Sequence, residues 1–314
     1  MENSVNYLAK LEKIDLYFCV ENVLCSIGPI CSIIAARNGK KAWLKCEILI
    51  SVVLGLLLIF NPSLLMSYMF NSKLEEYHFF LCSLYGFYII YSIFTPLYLL
   101  NSLDESVFYG HHWAKIISST LIIFDQIFSY NEGIHWKYKV FCLLTPIFIT
   151  NLAINVYYLL KTNKPWGRHP YTDTVNCIAR IDTFVFLITG IIMYAFPKSM
   201  CDLAFLNDEN KNDLNDSYKS LCRASGAILL SLSLESYCLS EFLFLRDKKQ
   251  FMLARLVGGL LKTLILSYDF IWLSKFSVQA FLMFFTICTS YNLIVLYGYL
   301  ITPKEPFKTK KQSQ

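Results

Sequence analysis

Slid against itself by 135 residues, the chain places Lys45 on Arg180, Glu47 on Asp182, Gly55 on Gly190, Pro62 on Pro197 and Phe70 on Phe205. At an offset of 140 the match resumes, with Cys82 on Cys222, Gly86 on Gly226, Ala114 on Ala254, Lys115 on Arg255, Phe141 on Phe281, Tyr157 on Tyr297 and Lys164 on Lys304. The offset changes once, between Phe205 and Cys222, inside a polar loop. Two constant offsets separated by one loop insertion are what a tandem duplication leaves, and a repeat constrains the fold before any local reading does.

The repeated unit is apolar. Hydrophobic residues make up 55% of the chain and charged residues 16%, against about 25% charged in soluble domains. Apolar stretches near the length that crosses a bilayer recur at 44–60, 78–100, 112–130 and 139–160, then at 179–196, 219–245, 251–273 and 277–300. The expected fold is all-α: a multi-pass transmembrane helix bundle, a tandem duplication of a four-helix unit, with eight spans. A ninth candidate at 16–36 is long enough but carries Glu21, Asn22 and the Gly28-Pro29 break. The expected divisions are an N-terminal segment 1–43, a first unit 44–160, a linker loop 161–178, a second unit 179–300 and a basic tail 301–314. Pro62 and Pro197 follow apolar runs and read as helix stops. Gly86 and Gly226 read either as close-contact positions between helices or as ordinary tolerated glycines.

Lys and Arg concentrate in alternate loops. Arg37 to Lys45, Lys161 to Arg180, Arg246 to Arg255 and Lys304 to Lys311 fall on one side, while the opposite loops hold few. That side, with the C-terminus, is expected in the cytosol of a cell whose endomembrane or plasma membrane holds the chain. Asn215-Asp216-Ser217, an N-glycosylation acceptor, lies on the other side. Cys201 and Cys222 flank the same polar loop, so a disulfide and simple packing both stay open. The basic residues are scattered and carry no nucleic-acid motif. The cysteines and histidines show no metal-ligand spacing, so no metal or cofactor is expected. His111-His112 beside Trp113 reads as an interfacial group.

Charged residues inside spans are where chemistry is sought, because burying them in lipid is costly. Glu235 falls in the middle of the sixth expected span, Lys262 in the middle of the seventh and Asp269 nearer its end. A Glu235–Lys262 ion pair would satisfy both charges. Asp125 is the first unit's intramembrane acid. Glu47 and Asp182, beside Lys45 and Arg180, read as helix-end electrostatics. The motifs GxxxxGK[ST], GxSxG, HExxH and GxGxxG are missing from the sequence.

Phe196-Pro197, then Asp202 and Phe205, then the run Gly226 to Leu234, the basic turn Arg246 to Lys249, and Tyr291, Tyr297 and Tyr299 form a pattern over 179–300. This pattern resembles the tumour-suppressor-inducible and DoxX-like four-helix membrane proteins. The resemblance implies a multi-pass membrane protein and no catalytic residue. Three readings follow: a non-catalytic structural, interaction or accessory subunit with a membrane-protein partner; a transporter, channel or lipid- or sterol-binding protein with a polar site in the second bundle; and a membrane lipid-modifying enzyme. The expected sidedness makes Asn215 the glycan carrier. Endoglycosidase should sharpen the gel mobility of the native protein and leave Asn215→Gln unchanged. A protein insensitive to the enzyme would remove this support for the assignment.

Overall fold

A computed structural model describes residues 27–70, 76–131, 138–162, 174–204, 217–273 and 278–302. The described residues are all-helical, without a strand. A short helix, α1, runs over Ile27–Arg37. It is followed by α2 (Lys40–Phe60), α3 (Pro62–Met69), α4 (Glu76–Leu99), α5 (Glu105–Asn131), α6 (Tyr138–Lys161), α7 (Thr174–Ala195), α8 (Pro197–Ala204), α9 (Ser217–Cys238), α10 (Leu245–Leu273) and α11 (Val278–Ile301). Of the expected ninth span, 27–36 belongs to α1 and the earlier part lies outside the described residues.

Among the described residues, five helices are long and apolar enough to cross a membrane: α2, α4, α7, α10 and α11. The sequence of α9 is rich in serine and carries Arg223 and Glu235, and its position accounts for that composition. Apart from Tyr237, no described residue of α9 is exposed, because α7, α5 and α4 pack around it. A helix surrounded by protein can meet its polar groups with partners, which a lipid-facing helix cannot.

Both prolines end one helix and start another. α2 stops at Phe60 and α7 at Ala195, and Pro62 and Pro197 then open the short helices α3 and α8, where a missing N–H is harmless. The expected span 219–245 is shorter than its apolar run. It ends at Cys238, a 3-10 turn covers Leu239–Glu241, and α10 begins at Leu245, so Arg246 to Lys249 form a helical turn rather than a loop. Asp104 caps α5 by accepting from the Ser106 N–H at 2.9 Å, and its second oxygen accepts from the Leu243 N–H at 2.6 Å. Ser102 donates to Asp247 at 2.7 Å, which knits this turn to the first turn of α10.

Two glycine pairs set the closest helix contacts. A Cβ at Gly86 would stand 2.8 Å from the Gly55 carbonyl oxygen, and one at Gly226 would stand 2.8 Å from that of Gly190. Around them, Gly55 faces Ile90 and Gly190 faces Leu230, while Gly86 faces Ile59 and Gly226 faces Tyr194. These residues match at the same offsets as the glycines. The third helix of each half keeps its fourth as a neighbour and also reaches across to the second helix of the other half: α5 lies along α6 and α9, and α10 along α11 and α4.

Gly226→Ala must push backbone from backbone, and should cost about 1–3 kcal/mol. Gly28 has open space around it, so Gly28→Ala is the control. Thermal unfolding of the two purified variants in one detergent checks this, and equal midpoints would contradict the contact.

Candidate functional site

Glu47 lies about 10 Å along α2 from its start, at roughly 1.5 Å per residue, and it is buried. Residues four apart share a helix face, so α5 presents His111 and Lys115 to it together. Lys115 Nζ stands 2.8 Å from Glu47 Oε1, and His111 Nε2 stands 3.3 Å from Oε2. The other ring nitrogen, Nδ1, faces Glu235 Oε1 at 3.2 Å, in the last turn of α9. Glu235 Oε2 accepts from the Thr95 hydroxyl of α4 at 2.7 Å and lies 3.5 Å from Arg255 of α10.

Arg255 is 2% exposed. Its guanidinium donates to the Leu232 carbonyl at 2.6 Å and to Ser236 Oγ at 3.0 Å. Nε approaches Asp182 Oδ2 at 3.2 Å. The Phe251, Phe186 and Tyr91 rings surround the cation with centroids 4.5, 5.2 and 5.5 Å away. Asp182 also accepts from the Ser236 and Tyr291 hydroxyls. The result is one continuous buried chain, Lys115–Glu47–His111–Glu235–Arg255–Asp182–Tyr291. It crosses from helices of the first half to helices of the second.

The chain's charge turns on one proton. Glu47, Asp182 and Glu235 are balanced by Lys115, Arg255 and a protonated His111, while a neutral His111 leaves one negative charge over. A neutral imidazole donates from one nitrogen only, so it satisfies one of the two carboxylates, and an imidazolium satisfies both. The carboxylates meet opposite edges of the ring. This group therefore bridges rather than chelates, and no metal-holding cluster occurs among the described residues.

The sequence profile of a domain of unknown function, DUF8292, matches residues 45–300. The chain belongs to the DUF8292 family. The matched region holds every member of the buried chain. No curated protein matches this sequence, and no solved structure matches it either.

In this DUF8292 protein the expected Glu235–Lys262 pair does not form. Glu235 is three residues from the end of α9 and Lys262 seventeen from the start of α10, which separates them by about 20 Å along an antiparallel hairpin. Arg255, two turns nearer the hairpin, takes the place expected of Lys262. Glu47 and Asp182 are buried partners in the chain rather than helix-end charges. His111 and His112 are fully buried rather than interfacial. His112 pairs with Asn155 at 2.8 Å and stacks on Tyr158, whose hydroxyl donates to the Ala36 carbonyl of α1.

Asp125 stands apart, near the other end of α5. It accepts from Ser220 at 2.6 Å and lies 3.6 Å from Arg223. The Asp269 side chain and Asn215 lie outside the described residues. Cys201 and Cys222 are free thiols with sulfurs 3.5 Å apart, packed without a disulfide.

Removing Arg255 strands two buried carboxylates. Arg255→Met should destabilise the protein by about 3–5 kcal/mol. Arg255→Lys should lose less because it keeps the charge but not the fork. Asp182→Asn combined with Arg255→Met should recover part of the loss. Chemical unfolding in detergent reads all three, and an unperturbed Arg255→Met would rule out the tie.

Proposed function

We propose that the chain is a multi-pass membrane protein of two fused four-helix units, working as a proton-responsive ligand-binding or transport protein. The observation that carries this reading is His111 held between Glu47 of the first half and Glu235 of the second. Ionisable groups at membrane depth are costly and mark functional pathways far more often than scaffolding. A bridge whose charge changes with one proton gives the two halves two states of attachment. Losing the proton frees one carboxylate contact and leaves excess negative charge, which loosens α5 from α2 or from α9.

The fused-unit architecture is supported by matched pairs at the same offsets. Lys115–Glu47 corresponds to Arg255–Asp182, Gly55–Gly86 corresponds to Gly190–Gly226, and Thr95 and Glu235 correspond to each other and are bonded. Eight long helices support eight spans. Beside the five apolar ones, α9 is enclosed by α4, α5 and α7, α5 packs between α9 and α6, and α6 keeps an exposed apolar face with Ile149, Val156 and Leu160. The basic loops support a cytosolic side for the network's end of the bundle and for the C-terminus. Parallel repeats of this kind are known among transport proteins.

A second reading, a non-catalytic structural or accessory subunit, is favoured by one observation: every acid of the buried chain already meets a base.

Native mass spectrometry at about pH 5.5 and pH 8, either side of an ordinary imidazole's titration, separates the two. The wild-type protein should carry a lipid, sterol or small molecule whose occupancy changes with pH, and His111→Gln should hold it at one level throughout. Identical spectra from two well-folded samples would favour the structural subunit.

A further inference from the structure

Tyr91 and Tyr291, which close the arginine end of the buried chain, also line a cleft with Phe186 of α7, Lys262 of α10, and Ile287 and Cys288 of α11. Its volume is about 30 Å3, roughly one water's share of the liquid. Lys262 is the only basic or acidic side chain among those lining it. Its ammonium lies 5.8 Å from the Tyr88 ring centroid. No carboxylate lies within ion-pair distance of it among the described residues. Lys262 sits about 25 Å along α10, far from the short snorkelling path open to a lysine near a helix end. An ammonium at that depth without a counter-charge is costly, so a ligand that brings one binds favourably.

The mouth of the cleft limits what that ligand is. Ile287 is exposed, and so are Ile188 and Met283, each one turn from a lining residue. Because α7 and α11 run antiparallel here, Ile188 and Met283 lie toward the same end of the bundle. Leu282 and Ile191 continue the apolar track in that direction. A hydrated ion does not arrive through such a mouth, whereas an acyl chain lies along it readily. The small head space admits a carboxylate and not a phosphodiester headgroup.

We propose that this cleft binds the carboxylate of a single-chain fatty acid, its head against Lys262 and its tail along the exposed apolar faces of α7 and α11. The proposal rests on the binding reading above and names its ligand class.

The test uses the full chain in nanodiscs with a diazirine-bearing palmitic acid as probe. Irradiation should label peptides of α7 and α11 around Val185 and Ile287. Labelling should fall by about tenfold or more in Lys262→Met, the loss of one charge-assisted contact, and persist in Lys262→Arg. The methyl ester of the same probe, which has no charge, should label wild-type protein as weakly as the acid labels Lys262→Met. Should Lys262→Met fail to fold, the acid-against-ester comparison on wild-type protein decides alone. Equal labelling by acid and ester, or by wild type and a folded Lys262→Met, overturns the proposal. Suppression by chloride without competition from unlabelled palmitic acid assigns the cleft to an inorganic anion, and also overturns it. Labelling independent of Lys262, beside a ligand whose pH dependence disappears in His111→Gln, removes this cleft and leaves the binding reading standing. No labelling together with no co-purifying ligand removes both.

Discussion

A guanidinium sealed from water must find its acceptors in protein, because each unmet donor costs free energy that packing alone does not return. Arg255 meets this demand by drawing on α7 through Asp182 and on α9 through Leu232, Ser236 and Glu235, with rings of α4, α7 and α10 around it. Four helices are thereby held at fixed depth and rotation. His111 and Lys115 carry the same tie outward to α2 and α5. None of these side chains can be moved without leaving an opposite charge unpaired, so the polar chain fixes the register that apolar packing leaves loose.

The apolar contacts are arranged to permit that register. Glycine at 55, 86, 190 and 226 lets α2 approach α4 and α7 approach α9 until backbone meets backbone. Such close contact suits helices in lipid, where small residues replace the hydrophobic drive available in water. The serines of α9 follow the same logic, since a helix walled by protein takes hydroxyls that an outer helix does not.

Much of this was written in the residue order. Each of the eight apolar stretches holds a long helix, and the self-match aligns Glu47 with Asp182 and Lys115 with Arg255, the acid and base of two matched pairs. The pairing itself was hidden because acid and base sit on different helices, and periodicity says nothing about which helices meet. The expected Glu235–Lys262 bridge shows where such reasoning fails. Extending α9 by seven residues moved Glu235 to mid-helix and brought it level with the wrong cation. The histidines differ from expectation for a related reason: adjacency to Trp113 suggests an interface, but α5 is covered on that face by α9 and α6. The sharper signal was the offset itself, which aligned two acids with each other and two bases with each other.

The reach of each third helix across to the other half has a consequence for how the molecule is made. A ribosome delivers α5 long before α9, the helix it lies along, and delivers α4 long before α10. Once the first half is made, Glu47 and Lys115 can already neutralise each other, but the second ring nitrogen of His111 lacks Glu235. The first half on its own therefore leaves its polar chain open at His111. Completing that chain is one late event, the arrival of α9 and α10, which bring Glu235 and Arg255 together.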